Sequence, residues 1–274
     1  MTAASTVVPR RARFAFRTAA TVVLAFLYAP LAIVAVLSFN DSTSLAWPPR
    51  SFTTKWWTRA FHNVGARDAL WNSLQVAAVA TVLALVLGTL AALAVQRFRF
   101  FGRDTLSLLI VLPIALPGIV TGIALNTAFT SAGVQFGMLT LVIAHATFCI
   151  VVMYNNVLAR LRRLSPNLEE ASADLGADAF QTFRLVTFPL LRTALLAGGL
   201  LAFGLSFDEI VVTTFTSSPG LETLPLWIFN NLARGDQQPI VTVVASAVMV
   251  LSVGPVWLAQ RLAAPSGDLA GGGR

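Results

Sequence analysis

Six long apolar runs set the pattern of the chain: residues 18–39, 69–95, 105–127, 134–158, 190–215 and 239–262. At about 1.5 Å of rise per residue, each run would span the roughly 30 Å hydrocarbon core of a bilayer as a helix with some tilt. None alternates residue by residue as a membrane barrel strand must. The pattern therefore predicts an all-α polytopic membrane protein with six transmembrane helices. It also suggests an organisation: an N-terminal tail (1–17), a first span (18–39), a loop (40–68), a core of five spans (69–262) and a Gly-rich, disordered C-terminal tail (263–274).

Composition agrees with this class. Of 274 residues, 56% are hydrophobic and only 11% charged, about half the charged share of a soluble domain. The single cysteine, Cys149, excludes an intrachain disulfide. The net charge of +7 does not require nucleic acid, because the cations are sorted by side. Fourteen of the Lys and Arg residues fall on one set of connections, among them Arg10, Arg97, Arg160 and Arg261. Five fall on the other: Arg50, Lys55, Arg59, Arg67 and Arg234. The positive-inside rule puts the first set, both termini included, in the cytoplasm. The Arg10-Arg11 pair precedes a run too long for a secretory signal core, so 18–39 reads as a retained helix. In the opposite loop, Trp47, Trp56 and Trp57 suit an interfacial belt, with a short amphipathic helix over 53–63.

The cytoplasmic connection 160–189 is the polar element of most interest. Ser165-Pro166 reads as a helix start, although Leu168 stands where a capping box needs Glu or Gln. Glu169, Glu170 and Asp174 lie in the expected first turns, favoured by the helix dipole. Ala171, Leu175 and Ala179 form an apolar strip at i, i+4, i+8. Gly176 marks a bend, a second helical stretch runs over 177–186, and Pro189 begins the next span.

Glu170-Ala171-Ser172, three residues, Gly176, nine residues and Val186-Thr187-Phe188-Pro189 resemble the EAA loop of ABC importer permeases. The departures are Ser172 for Ala, Val186 for Ile and Phe188 for Leu. The stretches 97–103, 112–118 and 205–230 are similar to spermidine/putrescine-type permeases. The resemblance implies a type I permease fold in the bacterial cytoplasmic (inner) membrane. Its coupling helix would present Glu170, Ala171, Ser172, Gly176 and Pro189 to an ABC ATPase dimer. It further implies a second permease subunit in a heterodimer, an external substrate-binding protein, ATP bound by the ATPase alone, and polyamine cargo moved by alternating access. Another small solute, such as an amino acid or ferric ion, is the alternative cargo. A self-contained channel or secondary carrier is the alternative class. No phosphate-binding Gly-rich loop or nucleophile–base arrangement is recognisable, so no enzyme, cofactor or metal is expected.

Pro113 and Pro117 should kink the third span, either as a pathway wall or as a structural kink. Asp208 and Glu209 are the only acids inside the six runs. Buried charge in a membrane marks function by default, so one of them could attract or pass a cation. The other reading is a helix-end cap or an ion pair. His145 and Cys149, four apart, share a helix face but form a poor metal site and read as core packing.

Overall fold

The computed structural model describes residues 10–165 and 167–263, and those residues are helical with short connections. In chain order the helices are α1 (Arg10–Leu37), α2 (Lys55–His62), α3 (Val64–Arg97), α4 (Arg103–Ala115), α5 (Gly118–Ser131) and α6 (Met138–Leu161). Then come α7 (Asn167–Asp174), α8 (Ala179–Thr182), a π-helical turn (Phe183–Thr187), α9 (Phe188–Phe207), α10 (Val211–Thr216), α11 (Leu224–Leu232) and α12 (Gln238–Ala263). Pro166 and all of the expected tail 263–274 but Ala263, which belongs to α12, lie outside the described residues.

Among the described residues, four helices are long and apolar enough to cross a membrane: Arg11–Leu37, Val64–Arg97, Met138–Leu161 and the joined run Ala179–Phe207. α12 supplies a shorter apolar stretch, Gln238–Gly254. Two expectations need correction. The run 105–127 is not one kinked helix but two helices, α4 and α5, bent by 109°. The break falls at Pro117 rather than Pro113. A residue before proline is pushed out of the α region, and Leu116 accordingly has φ −84°, ψ 146°. The Pro117 carbonyl then accepts from Val120 N and Thr121 N and starts α5. The run 190–215 is also broken: α9 closes at Asp208, and α10 starts three residues later.

The described residues form two compact units, one of those up to 63 with 231–250, the other of those from 64 to 230 with those from 251 on. In the first, residues 38–63 fold locally. Asn40 bridges Phe52, Asp41 pairs with Lys55, and Phe39 stacks on Trp57 at 5.3 Å. The amphipathic helix expected over 53–63 is α2, with Trp56 buried beneath the cations of Lys55 and Arg59.

The second unit is built on α3, α6 and α9. α3 offers a ridge of small buried residues, Ala77, Ala80, Ala84, Gly88 and Ala92, at roughly four-residue spacing. Small residues let membrane helices approach closely, where dispersion and not hydrophobicity holds them. At Gly88 a Cβ would stand 2.8 Å from Met153 Cβ and 2.9 Å from the Ile150 carbonyl, so only glycine fits against α6. Gly198 of α9 meets Met153 from the other side, with its Cβ position 2.9 Å from Sδ. Gly204, nearer the end of α9, has open space beside it. α4 packs on α6, where Tyr154 Oη donates to Ser107 Oγ at 3.1 Å.

Candidate functional site

Two places hold the side chains singled out by the sequence. The first is the bracket from α7 to the start of α9. α7 ends in a Schellman motif: Ala177 N donates to Ser172 O at 3.1 Å, and Gly176 N to Ala173 O at 2.9 Å. Gly176 sits between them at φ +83°, a left-handed conformation costly for any residue with a Cβ. The expected bend is therefore a helix stop. The apolar strip Ala171, Leu175, Ala179 is not one helix face, because Ala179 belongs to α8. Asp174 is the last residue of α7, not part of its first turn.

α8 opens with a capping box that the sequence reading overlooked. Asp178 Oδ1 accepts from Gln181 N at 2.8 Å, and Gln181 Oε1 accepts from Asp178 N at 3.0 Å. Its D-x-x-Q spacing is the signal that would have found it. The chain then runs without a stop into α9 through the π turn, where Phe188 N donates to Phe183 O. Pro189 explains the wide turn: it has no N–H for the Leu185 carbonyl, and its ring crowds that carbonyl.

Two contacts hold α7 on this rod. Ser172 Oγ shares a hydrogen bond with Thr182 Oγ1 at 3.0 Å, so the departure from the family's alanine carries a bond alanine could not make. Glu169, not Glu170, makes the longer tie. Its Oε1 takes Arg97 Nη2 from the end of α3 and Thr187 Oγ1 at 3.0 Å, while Arg97 Nη2 also donates to Thr187 Oγ1 at 2.9 Å. Glu170 and Ala171 face outward. So do Leu175 (90% exposed), Phe180 (69%) and Leu185 (70%).

The second place is the corner between α9 and α10. Its two acids have opposite surroundings. Asp208 caps the C-terminal end of α9, and its side chain is exposed. There the carbonyls of the last turn make the field negative. Glu209 stands before α10, and its Oε1 accepts from Val212 N at 2.8 Å. Its carboxylate is a helix cap at the end where the dipole favours an anion. Neither acid lies inside a continuous helix, contrary to the expectation from the run 190–215.

α10 packs on α5, the far arm of the other broken helix. Asn126 Nδ2 donates to the Phe215 carbonyl at 2.7 Å, and a Cβ at Gly122 would meet the Phe215 ring at 2.6 Å. Pro113 lies within α4, where it offers no N–H to the Leu109 carbonyl. His145 is not plain packing: it is fully buried with a hydrogen bond at each ring nitrogen. Cys149, one turn on, donates to the Ala202 carbonyl at 3.4 Å. A groove of about 790 Å³ runs along the packed pair α3 and α9, lined by Leu85, Thr89, Arg192, Leu196 and Phe203 among others.

Residues 84–264 match the family described as "Binding-protein-dependent transport system inner membrane component". The chain belongs to this family. It is thus a membrane-embedded transport component and not an enzyme. Among its relatives is the putrescine transport system permease protein PotI of Escherichia coli K12, 36% identical over 218 residues, 77% of each chain. The spermidine/putrescine transport system permease protein PotC of the same strain is 35% identical over 244 residues, covering 89% of this chain and 91% of its own. The putative 2-aminoethylphosphonate transport system permease protein PhnV of Salmonella choleraesuis is 30% identical over 252 residues, 89% and 94% of the two chains. The fold of this permease matches a chain of a bacterial ABC transporter that imports the acidic polysaccharide alginate. The TM-score is 0.70 at 17% identity, over 94% of this chain and 98% of that one. A second structure of a bacterial alginate ABC transporter, in complex with its pentasaccharide-bound periplasmic protein, gives 0.68 at 13% identity, over 97% and 98% of the chains.

Proposed function

We propose that this permease is one subunit of an ATP-driven importer for polyamines such as putrescine and spermidine. The observation that carries the cargo is Asp208: an exposed carboxylate at the negative end of α9, in a chain related over most of its length to PotI and PotC. A carboxylate beside the last carbonyls of a helix is a favourable stop for an ammonium group. Glu209, bound to Val212 N, serves the corner instead of the cargo. The break at Pro117, with Pro113 in the arm of α4 before it, forms the facing wall of the pathway, where freed carbonyls need protein or water.

Six crossings fit this reading, with the bent pair α4–α5 as one and α12 as the last. Both termini and the bracket lie in the cytoplasm, supported by the fourteen-to-five division of Lys and Arg. The bracket docks on an ABC ATPase dimer through Glu170, Ala171 and the exposed Leu175, Phe180 and Leu185. ATP is bound by that partner only, and a second permease subunit and an external binding protein complete the machine. ATPase closure pushes the bracket, the Glu169 tie and the unbroken α8–α9 rod carry the push inward, and the pathway alternates. The relation to PhnV favours a second cargo reading, an aminophosphonate.

Reconstitution tests all of this. Proteoliposomes holding the permease, its partner subunit, the ATPase and the binding protein should take up labelled putrescine only with ATP. Uptake without the ATPase would establish a self-contained carrier or channel. A binding protein that retains only anionic ligands would end the polyamine assignment.

A further inference from the structure

His145 is fully buried on α6, and no charged partner is bonded to it. Its Nδ1 lies 2.8 Å from Ser206 Oγ, and its Nε2 lies 2.9 Å from Thr213 Oγ1. The direction of the bonds follows from the last link. Thr213 has one hydroxyl proton, and it goes to the Glu209 carbonyl at 2.9 Å. Thr213 Oγ1 can then only accept from the imidazole, so the proton of neutral His145 sits on Nε2. Nδ1 is left as an acceptor, and the Ser206 hydroxyl donates to it.

The result is one directed chain: Ser206 O–H to His145 Nδ1, His145 Nε2–H to Thr213 Oγ1, Thr213 O–H to the Glu209 carbonyl. Ser206 is two residues before Asp208 on α9, and Thr213 is on α10. One side chain of α6 thus grips both arms of the break. Each member is buried: Ser206 is 3% exposed and Thr213 is 0%. In such a setting an unmet donor or acceptor is costly, which makes the chain an all-or-none clamp.

We propose that His145 is a positioning residue for transport: by joining Ser206 to Thr213 it fixes the α9–α10 corner and thereby the place of the Asp208 carboxylate. The inference rests on the reading of Asp208 as the contact for cationic cargo. His145 itself touches no cargo.

The test uses the complete transporter in proteoliposomes, with labelled putrescine and saturating binding protein. His145→Leu removes both bonds, and Thr213→Val removes the link to Glu209 while keeping shape. His145→Gln restores one donor to Thr213. The expected result for His145→Leu is normal assembly and normal ATP hydrolysis without cargo, with uptake about tenfold lower, the size of one unmet buried hydrogen bond. His145→Gln should recover part of the loss. Combining His145→Leu with Thr213→Val should add little to either alone, because both cut the same chain. A general packing defect would instead lower assembly and give additive losses. Wild-type uptake by an assembled His145→Leu transporter overturns the inference. If that variant does not assemble, Thr213→Val decides: reduced uptake sustains the inference and wild-type uptake overturns it. Asp208→Asn separates the two layers. Its failure to change uptake removes the reading beneath the inference, whereas a loss there with normal His145 and Thr213 variants removes the inference alone.

Discussion

The bracket between α7 and α9 and the corner between α9 and α10 sit at opposite ends of the same helix, and they are built by opposite rules. The bracket is tied by part-buried contacts, Glu169 with Arg97 and Thr187, Ser172 with Thr182, and it leaves Leu175, Phe180 and Leu185 in the open. The corner buries its polar atoms and satisfies them internally, through His145, Thr213 and the Glu209 cap, and leaves one carboxylate free. Exposed apolar side chains on a polar element are unfinished until a partner covers them. A single open carboxylate in a satisfied network is unfinished until a cation arrives. The difference separates where force enters from where cargo is met.

The largest effect is expected at the corner. Asp208→Asn keeps the size and removes the charge. A charge-assisted hydrogen bond is worth about 1.5–3 kcal/mol, so uptake efficiency should fall on the order of thirtyfold, read as kcat/KM for putrescine. Glu209→Gln should change it little, because the amide oxygen can still accept from Val212 N. Equal losses from both would erase the distinction between the two acids.

The second prediction belongs to the bracket. Phe180→Ala removes an exposed ring that stacks on no other ring among the described residues. It should leave the permease folded and weaken ATPase association about tenfold, since truncating a buried aromatic anchor at an interface costs about 1–2 kcal/mol. Co-purification and an affinity titration with the isolated ATPase measure it. Unchanged association would mean that the exposed apolar face is not the docking surface.

The sequence carried some of this and not the rest, for physical reasons. Apolar length alone forecast α3, α6 and α9, because span length depends on rise per residue and bilayer thickness. Pro117 announced a disturbance, but not a break of 109°. That angle depends on α5 meeting α10 at Gly122 and Phe215, residues 93 positions apart. The break at Asp208 was hidden because apolar composition continues through Val211 and Val212. Glu209 as a cap was one of the readings open from the sequence. The choice needed the backbone of α10 in place. The core position of His145 was legible, but its hydrogen bonds were not, because its partners lie 61 and 68 residues away. Gly176 was legible, since a lone glycine after a short polar helix is a common helix stop.

That glycine gives the third prediction. Gly176→Ala forces a Cβ into φ +83° with nothing nearby to relieve it. The cost is about 1–2 kcal/mol of local stability. The end of α7 should fray, raising hydrogen exchange of the Gly176 and Ala177 amides, whose bonds close the Schellman motif. Transport should fall severalfold relative to ATP hydrolysis, while the corner and the KM for cargo stay unchanged. A raised KM would show that the two regions are not separable.

The smallest effect is expected at Ser172. Its hydroxyl bond to Thr182 Oγ1 is the one tie between α7 and α8 that the family's alanine would lack. The bond is part-buried, and water can still reach the Ser172 side of it, so its net worth is about 0.5 kcal/mol. Ser172→Ala should therefore shift transport by about twofold or less. Thr182→Val should cost more, because Thr182 is buried at 8% exposure and its replacement also strands the Ser172 hydroxyl. The double variant should match Thr182→Val alone. If Ser172→Ala instead uncoupled hydrolysis from uptake as strongly as Gly176→Ala, the bracket would depend on the clasp between its two helices. The helix stop that separates them would then be the lesser part.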